Sequence, residues 1–305
     1  MIHLDTARVG AALYYRSLRA VGATCLRRLT TNAGLILCYH NVVWRDDDQI
    51  GDPELHIPVE RFEWQVRWLI DHYDVISLSA FVDRLIDGTS LNETAVITFD
   101  DGYAGVFDYA VPLLDDLDVP ATVFVIADAP GRSMGFWWDR PEVVSFHGRG
   151  RDRWLTDLHG DEGAILRQMK AARSPDLPAA FWPAEWFEIR SATRGQIDIG
   201  VHSATHRALT TLTDDELENE IETSRLIVQR ATGVTPAFFA YPYGLWDQRV
   251  RAAVRAAGYR ASLALGSGLN DATADPWTLH RVNVHSAASD AAFEAWSAGF
   301  HAWRA

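Results

Sequence analysis

Short apolar runs that end on polar groups recur along this chain, with segments of helical periodicity between them. The first covers 35–40, from Leu35 to His40, and reads as a buried strand with a polar end. Residues 60–88 predict a helix, a short strand at Val75-Ile76 and a second helix that stops near Gly88. A second buried strand is predicted at 95–99 and runs directly into Asp100-Asp101-Gly102. A helix over 105–117 and a third strand over 121–126 follow. Beyond them, strands are expected at 197–201, 238–241, 260–265 and 281–284, and helices at 214–231 and 247–257. Thr213 and Glu216 have the spacing of a capping box for the first of these helices, and Gly258 ends the second. Strands that alternate with helices imply parallel pairing and an α/β architecture.

Two stretches depart from this alternation. In residues 1–32, Ala7, Ala11, Tyr14, Leu18, Val21, Cys25 and Leu29 recur at steps of three and four, which predicts one N-terminal amphipathic helix. That segment holds five arginines and one aspartate. A basic amphipathic helix suits an anionic membrane surface. The favoured expectation is a helix packed on the main domain or on a partner subunit. Residues 128–195 carry Pro130, Gly131, Trp137, Trp138, Pro141, Arg149, Arg151, Pro175, Pro178 and Pro183, with a helical pattern only near 161–172. They read as an inserted segment that covers part of the main domain. The expected organisation is therefore a helical segment, 1–32, and one domain, 33–305.

Composition narrows the picture. Of 305 residues, 48% are hydrophobic and 23% charged, the profile of a globular protein with a large core. Cys25 and Cys38 are too few for a disulfide scaffold or a cysteine-based zinc cluster. No apolar run reaches about 18 residues, so no transmembrane helix is expected. A net charge of -13 argues against nucleic acid as a partner. Asp5, Arg8, Arg16 and Arg19 interrupt the apolar start, so no secretory signal is expected. The expected location is the cytoplasm, with the inner membrane face as the alternative that the basic helix adds.

Three local features can carry chemistry. In Thr98-Phe99-Asp100-Asp101-Gly102-Tyr103, two adjacent carboxylates at a strand end are unfavourable without a positive charge nearby, which a metal ion supplies. One Asp can then ligate while its neighbour acts as a base. A turn with solvated carboxylates is an equal alternative for the hexapeptide alone. In His202-Ser203-Ala204-Thr205-His206, the i, i+4 spacing would place both imidazoles on one side of a helical turn, close enough to share a metal. Two imidazoles and one carboxylate make a catalytic zinc set with a position left for water. In Ala240-Tyr241-Pro242-Tyr243-Gly244, proline and glycine fix a turn after a strand, which could form part of an oxyanion hole. Taken alone, it is an ordinary strand-ending turn.

In this order, the three motifs resemble the polysaccharide deacetylase family (carbohydrate esterase family 4). The likeness runs over roughly 35–285. Tyr39-His40, Trp137-Trp138-Asp139 and the Tyr-Pro-Tyr-Gly turn look like its bacterial surface-polysaccharide branch. The resemblance implies a distorted (β/α) barrel with fewer than eight units and a groove at the strand C-terminal face. It implies Asp100 as general base, Asp101, His202 and His206 as ligands of a divalent metal, usually zinc, and Tyr243 as the residue whose N–H holds the oxyanion. It implies an N-acetylated glycan as substrate and N-deacetylation as the reaction. An O-acetyl esterase, a deformylase of a lipid-linked sugar and a non-catalytic carbohydrate-binding protein are the alternatives. Two departures stand out. Many members carry a base-orienting arginine where this chain has Ala240. The late Leu-x-His step that supplies a general acid is replaced by Leu279-His280-Arg281. His40, His280 and His285 are the candidate acids, with His40 favoured because it ends a strand.

Overall fold

Seven parallel strands carry the fold of the computed structural model, which describes residues 2–300 apart from 48–49, 53, 133, 147–149, 171–176 and 267. Arg149 and Pro175 of the inserted segment lie outside the described residues. The strands in chain order are β1 (Ala33–Tyr39), β2 (Asn41–Val43), β3 (His56–Pro58), β4 (Asp74–Val75), β5 (Thr94–Phe99), β6 (Ala121–Val125), β7 (Ile197–Val201), β8 (Phe238–Ala240), β9 (Ala261–Leu263), β10 (Asn270–Asp271) and β11 (Val282–Asn283). The parallel set runs β11-β1-β5-β6-β7-β8-β9. β4 adds to the start of β5, β10 pairs antiparallel to β1, and β2 and β3 form a separate parallel pair.

Period-2 alternation sorts each strand into two faces. Leu35, Leu37, Ile97 and Phe99 join the larger hydrophobic cluster, together with Phe62, Val66 and Leu69 of the helix Val59–His72. Ile36 and Val96 join a second cluster with Phe124, Phe238 and Leu263, closed by Leu78, Phe81 and Val82 of the helix Leu78–Ile86. With Cys38 paired to Thr98, this second face continues through Cys38 and Thr98 towards His40 and Asp100 at the C-terminal strand ends.

The sheet curls until its ends nearly meet. Leu279 bridges to Leu263 beside β9, while Val282 and Asn283 pair with Leu37 and Cys38 of β1. Residues 279–284 therefore join the last strand to the first, giving a distorted (β/α) barrel. Buried residues of the inserted segment, including Trp137, Trp138, Trp154 and Ile165, belong to the larger cluster, so the insertion packs as part of the main core.

The N-terminal segment departs from the sequence expectation. It forms two helices, Ile2–Ala20 and Ala23–Thr30, separated at Val21-Gly22, where Gly22 takes a left-handed conformation (φ 71°). The single apolar face does not persist: Val21, Cys25 and Leu29 are exposed, and Thr24 is buried instead. The pair docks on the helix Asp290–Ser297, with Tyr15 against Trp296 edge to face. Arg19 pairs with Glu294, Arg27 donates to the Ala298 carbonyl and Arg28 pairs with Glu93. Three of the five arginines thus have partners within the fold. No helix of the described residues is long and apolar enough to cross a membrane.

Candidate active site

The site begins where β5 ends. Asp101 and Gly102 both adopt left-handed conformations (φ 71° and 79°), so the chain reverses at once and the two carboxylates diverge. A Cβ on Gly102 would also press on Val125 Cγ1 at 3.0 Å. Asp100 turns to the inner face of the barrel, and Asp101 turns to the histidines.

The His202–His206 segment is not helical. β7 stops at Val201, and the next residues form a loop in which Ser203 and His206 are left-handed (φ 62° and 61°). The expected helical turn is replaced because neighbouring strands hold this backbone. The His202 N–H donates to the Val125 carbonyl, and the Ser203 carbonyl accepts from Ala127. The loop still brings both imidazoles to one point. His202 Nε2 and His206 Nε2 are 3.2 Å apart, and each lies 3.6 Å from Asp101 Oδ1.

Those spacings fit a metal. Donors about 2.0–2.2 Å from a tetrahedral ion sit roughly 3.3–3.6 Å from one another. Asp101 Oδ1 is buried and has no hydrogen-bond partner. The His202 ring faces Ala240 O through Nδ1 at 2.8 Å, so that nitrogen carries the proton and Nε2 offers a lone pair. Burial, followed by the nearby Asp100 and Asp139 carboxylates, pushes the Asp101 carboxyl well above its usual range. Burial, followed by His202, pushes His206 well down. Without a cation these groups conflict with their surroundings; with one, a deprotonated carboxylate and two neutral imidazoles are what it requires.

Asp100 is paired with a residue the sequence reading did not assign. Arg281 reaches in from the closing segment, fully buried, and donates from Nη1 to Asp100 Oδ1 at 2.6 Å and from Nη2 to Asp100 Oδ2 at 2.8 Å. It opposes the burial that would raise the Asp100 carboxyl and holds it well below its usual range. The guanidinium missing at position 240 is therefore supplied by Leu279-His280-Arg281, the step whose histidine is a candidate acid. The sequence signal was faint: one arginine between His280 and Val282, just before a short strand.

Cys38, also unassigned from sequence, places Sγ 3.4 Å from Asp100 Oδ2 and is kept protonated by burial. Cys38, His40 and Asp100 form a second donor cluster. A cation there would face the Arg281 guanidinium directly across Asp100, whereas Arg281 acts on Asp101 only at longer range, behind burial and the Asp100 and Asp139 carboxylates.

The candidate acids separate. His40 shares the Asp100 cluster, and burial lowers it to about 4. His280 is exposed and precedes β11, at the strand end away from the metal cluster. His285 packs on Trp296. Tyr243 is left-handed (φ 58°), its ring lies on His206 with centroids 4.5 Å apart, and its hydroxyl donates to the His206 carbonyl at 3.1 Å. Trp138 of the insertion also packs on His206, with ring centroids 4.7 Å apart.

The sequence model of the polysaccharide deacetylase family matches residues 87–262, more than half of the chain. The chain belongs to the polysaccharide deacetylase family. Two curated relatives agree at low identity. YxkH of Bacillus subtilis is 22% identical over 263 residues, covering 86% of this deacetylase-family chain and 75% of YxkH. The poly-beta-1,6-N-acetyl-D-glucosamine N-deacetylase of Escherichia coli is 23% identical over 251 residues, covering 79% of this chain and 35% of that protein. Among solved structures, IcaB from Ammonifex degensii superposes with a TM-score of 0.61 at 18% identity, covering 88% of this chain and 98% of IcaB. At that identity the likeness concerns the fold.

Proposed function

We propose that this polysaccharide deacetylase family member is a metal-dependent hydrolase that removes N-acetyl groups from amino sugars of a polysaccharide or glycan precursor. The observation that carries the reading is the buried cluster of Asp101, His202 and His206 beside an Arg281-paired Asp100. In this reading Asp101, His202 and His206 hold the ion, with zinc favoured by a donor set of two imidazoles and one carboxylate. When bound, the ion supplies Lewis acidity and a water of lowered pKa.

The chain's own residues do the rest. Asp100, kept anionic by Arg281, accepts the proton that the attacking water gives up. Its Oδ2 is the candidate atom, since it lies 3.7 Å from His202 Nε2, on the side of the metal cluster. Arg281 holds both Asp100 oxygens, so the base has one orientation. The N–H of Tyr243 binds the developing oxyanion. His40 is neutral at rest, so it serves as the acid by taking up the proton from Asp100 and passing it to the leaving amine. The E. coli relative is named for deacetylating a polymer of N-acetylglucosamine, which makes an N-acetylated glycan the first substrate to try.

Acetate release from N-acetylglucosamine oligomers tests the reading. Release is expected to stop on complete chelation and to return with zinc, and Asp100→Asn is expected to retain metal with almost no turnover. Turnover that survives chelation, or acetate released only from O-acetylated sugars, would overturn it.

A further inference from the structure

The loop that carries His202 and His206 is strained, because Ser203 and His206 hold left-handed backbones without being glycine. Such a conformation persists only where the surroundings over-determine it. Backbone bonds from Ala127 to the Ser203 carbonyl and from Asp128 to the Ala204 carbonyl hold one side of the loop, and a buried carboxylate holds the other. Glu220 Oε2 accepts the backbone N–H of Ala204 at 3.0 Å and of Thr205 at 2.9 Å, and its Oε1 accepts the Thr205 hydroxyl. These are the residues between the two histidines. Within the loop, Ser203 Oγ accepts the His206 N–H at 2.9 Å.

Glu220 reaches the loop because of a break in its helix. The 214–231 pattern predicts one continuous helix, but the segment folds as Asp214–Glu218, a π-helical turn Asn219–Thr223, and Ser224–Thr232. A π-turn inserts extra backbone and re-aims the side chains on it. The Ser224 hydroxyl donates to the Glu220 and Ile221 carbonyls at 2.7 and 2.9 Å, satisfying groups that the turn displaces. Glu220 is buried, and each carboxylate oxygen has a partner in the loop.

We propose that Glu220 is a positioning residue for the metal centre: it fixes the strained 202–206 loop so that both imidazole Nε2 atoms converge on Asp101. The proposal rests on the reading that Asp101, His202 and His206 hold a metal. Without the Glu220 acceptor, one buried and one partly buried N–H group lose their partner. The loop then relaxes towards an ordinary backbone and carries His206 out of register. Glutamine keeps a carbonyl oxygen for the two N–H groups, so it should preserve the loop where alanine does not.

The test is zinc affinity of the full chain, measured by competition with a chromophoric chelator, alongside the unfolding midpoint of the metal-free protein. Glu220→Ala is expected to weaken zinc binding about 10–100-fold, the range for residues that orient ligands, with saturating zinc restoring part of the activity. Glu220→Gln is expected to stay within about threefold of the unaltered protein, a rescue by shape that follows from the same accounting. An affinity for Glu220→Ala within about twofold of the unaltered protein, even with a lowered unfolding midpoint, would reduce Glu220 to a structural role. If that variant does not fold, Glu220→Asp keeps the charge but draws the carboxylate back by one methylene from the Ala204 and Thr205 N–H groups, and an unchanged affinity there overturns the proposal. Failure of the unaltered protein to take up zinc would instead remove the metal reading itself, and this inference with it.

Discussion

At the residue scale, the pair that decides most is Asp100 and Arg281. Both are buried, and each neutralises a charge that would otherwise sit in a low-dielectric interior. Removing one partner of a buried pair typically costs about 3–5 kcal/mol, because the other charge is left uncompensated. Arg281→Ala should therefore lose stability on that scale as well as activity. Arg281→Lys keeps the charge but lacks the fork that engages both oxygens, so it should fold better than the alanine variant while turning over far more slowly than the parent. Urea denaturation and acetate release on the same samples check both parts; a lysine variant with parental turnover would show that two-point orientation is unnecessary.

His40 gives a pH prediction. Burial lowers it from 6.5 to about 4 in the folded chain. The unfolded chain then binds a proton below about pH 6.5 that the folded chain refuses until about pH 4. Stability is therefore complete above pH 6.5 and is lost as pH falls between those values, by at most roughly 3 kcal/mol from this residue. In metal-free protein, His40→Gln should shrink the fall in unfolding free energy between pH 7 and pH 5. A fall of the same size in both proteins would assign it to other groups.

At the scale of elements, the N-terminal helix pair is a structural part of the domain. Tyr15 is buried against Trp296, whose ring N–H donates to the Tyr15 hydroxyl at 3.1 Å. Loss of a buried aromatic typically costs about 3–5 kcal/mol, with the cavity it leaves included. Tyr15→Ala should therefore lower the thermal midpoint of the whole domain in a single transition. An unchanged midpoint would mean that the two helices fold independently of the barrel. The inserted segment behaves in the same way: Trp138 lies on His206 and donates to the Tyr103 hydroxyl, which donates to Asp139, which faces the buried His56. One face of the metal cluster is thus built by a segment that reads, in sequence, as a cover.

At the scale of the whole molecule, the barrel brings two distant segments, the Asp101 turn and the 202–206 loop, to one point, and a metal bound there would hold them together. A ligand that binds only the folded state stabilises it by mass action, by about 2.7 kcal/mol at a free concentration one hundred times its dissociation constant. Zinc should raise the unfolding midpoint of chelator-treated protein in a concentration-dependent way, and Asp101→Ala should abolish that shift. A zinc-dependent shift that survives Asp101→Ala would place the ion elsewhere.

The apolar runs determined much by themselves. The strands expected at 35–40, 95–99 and 121–126 were legible because parallel strands buried on both faces are mostly aliphatic and aromatic runs, and 197–201 was legible from its apolar residues although Asp198 is exposed. The residue types of the Asp-Asp and His-x3-His motifs were legible because a metal needs carboxylate and imidazole. Tertiary structure alone decided the rest. The histidine loop is not a helix, because its backbone is held by residues 125–128 and Glu220, and no local propensity encodes that. The two-residue strand β10 exists because the curled sheet leaves an edge for it to pair with, while the strand expected at 281–284 is cut to the two residues of β11 that pair with β1. Arg281 became the partner of Asp100 because a seven-strand closure sets residue 281 beside residue 100, a proximity that no spacing in the chain records.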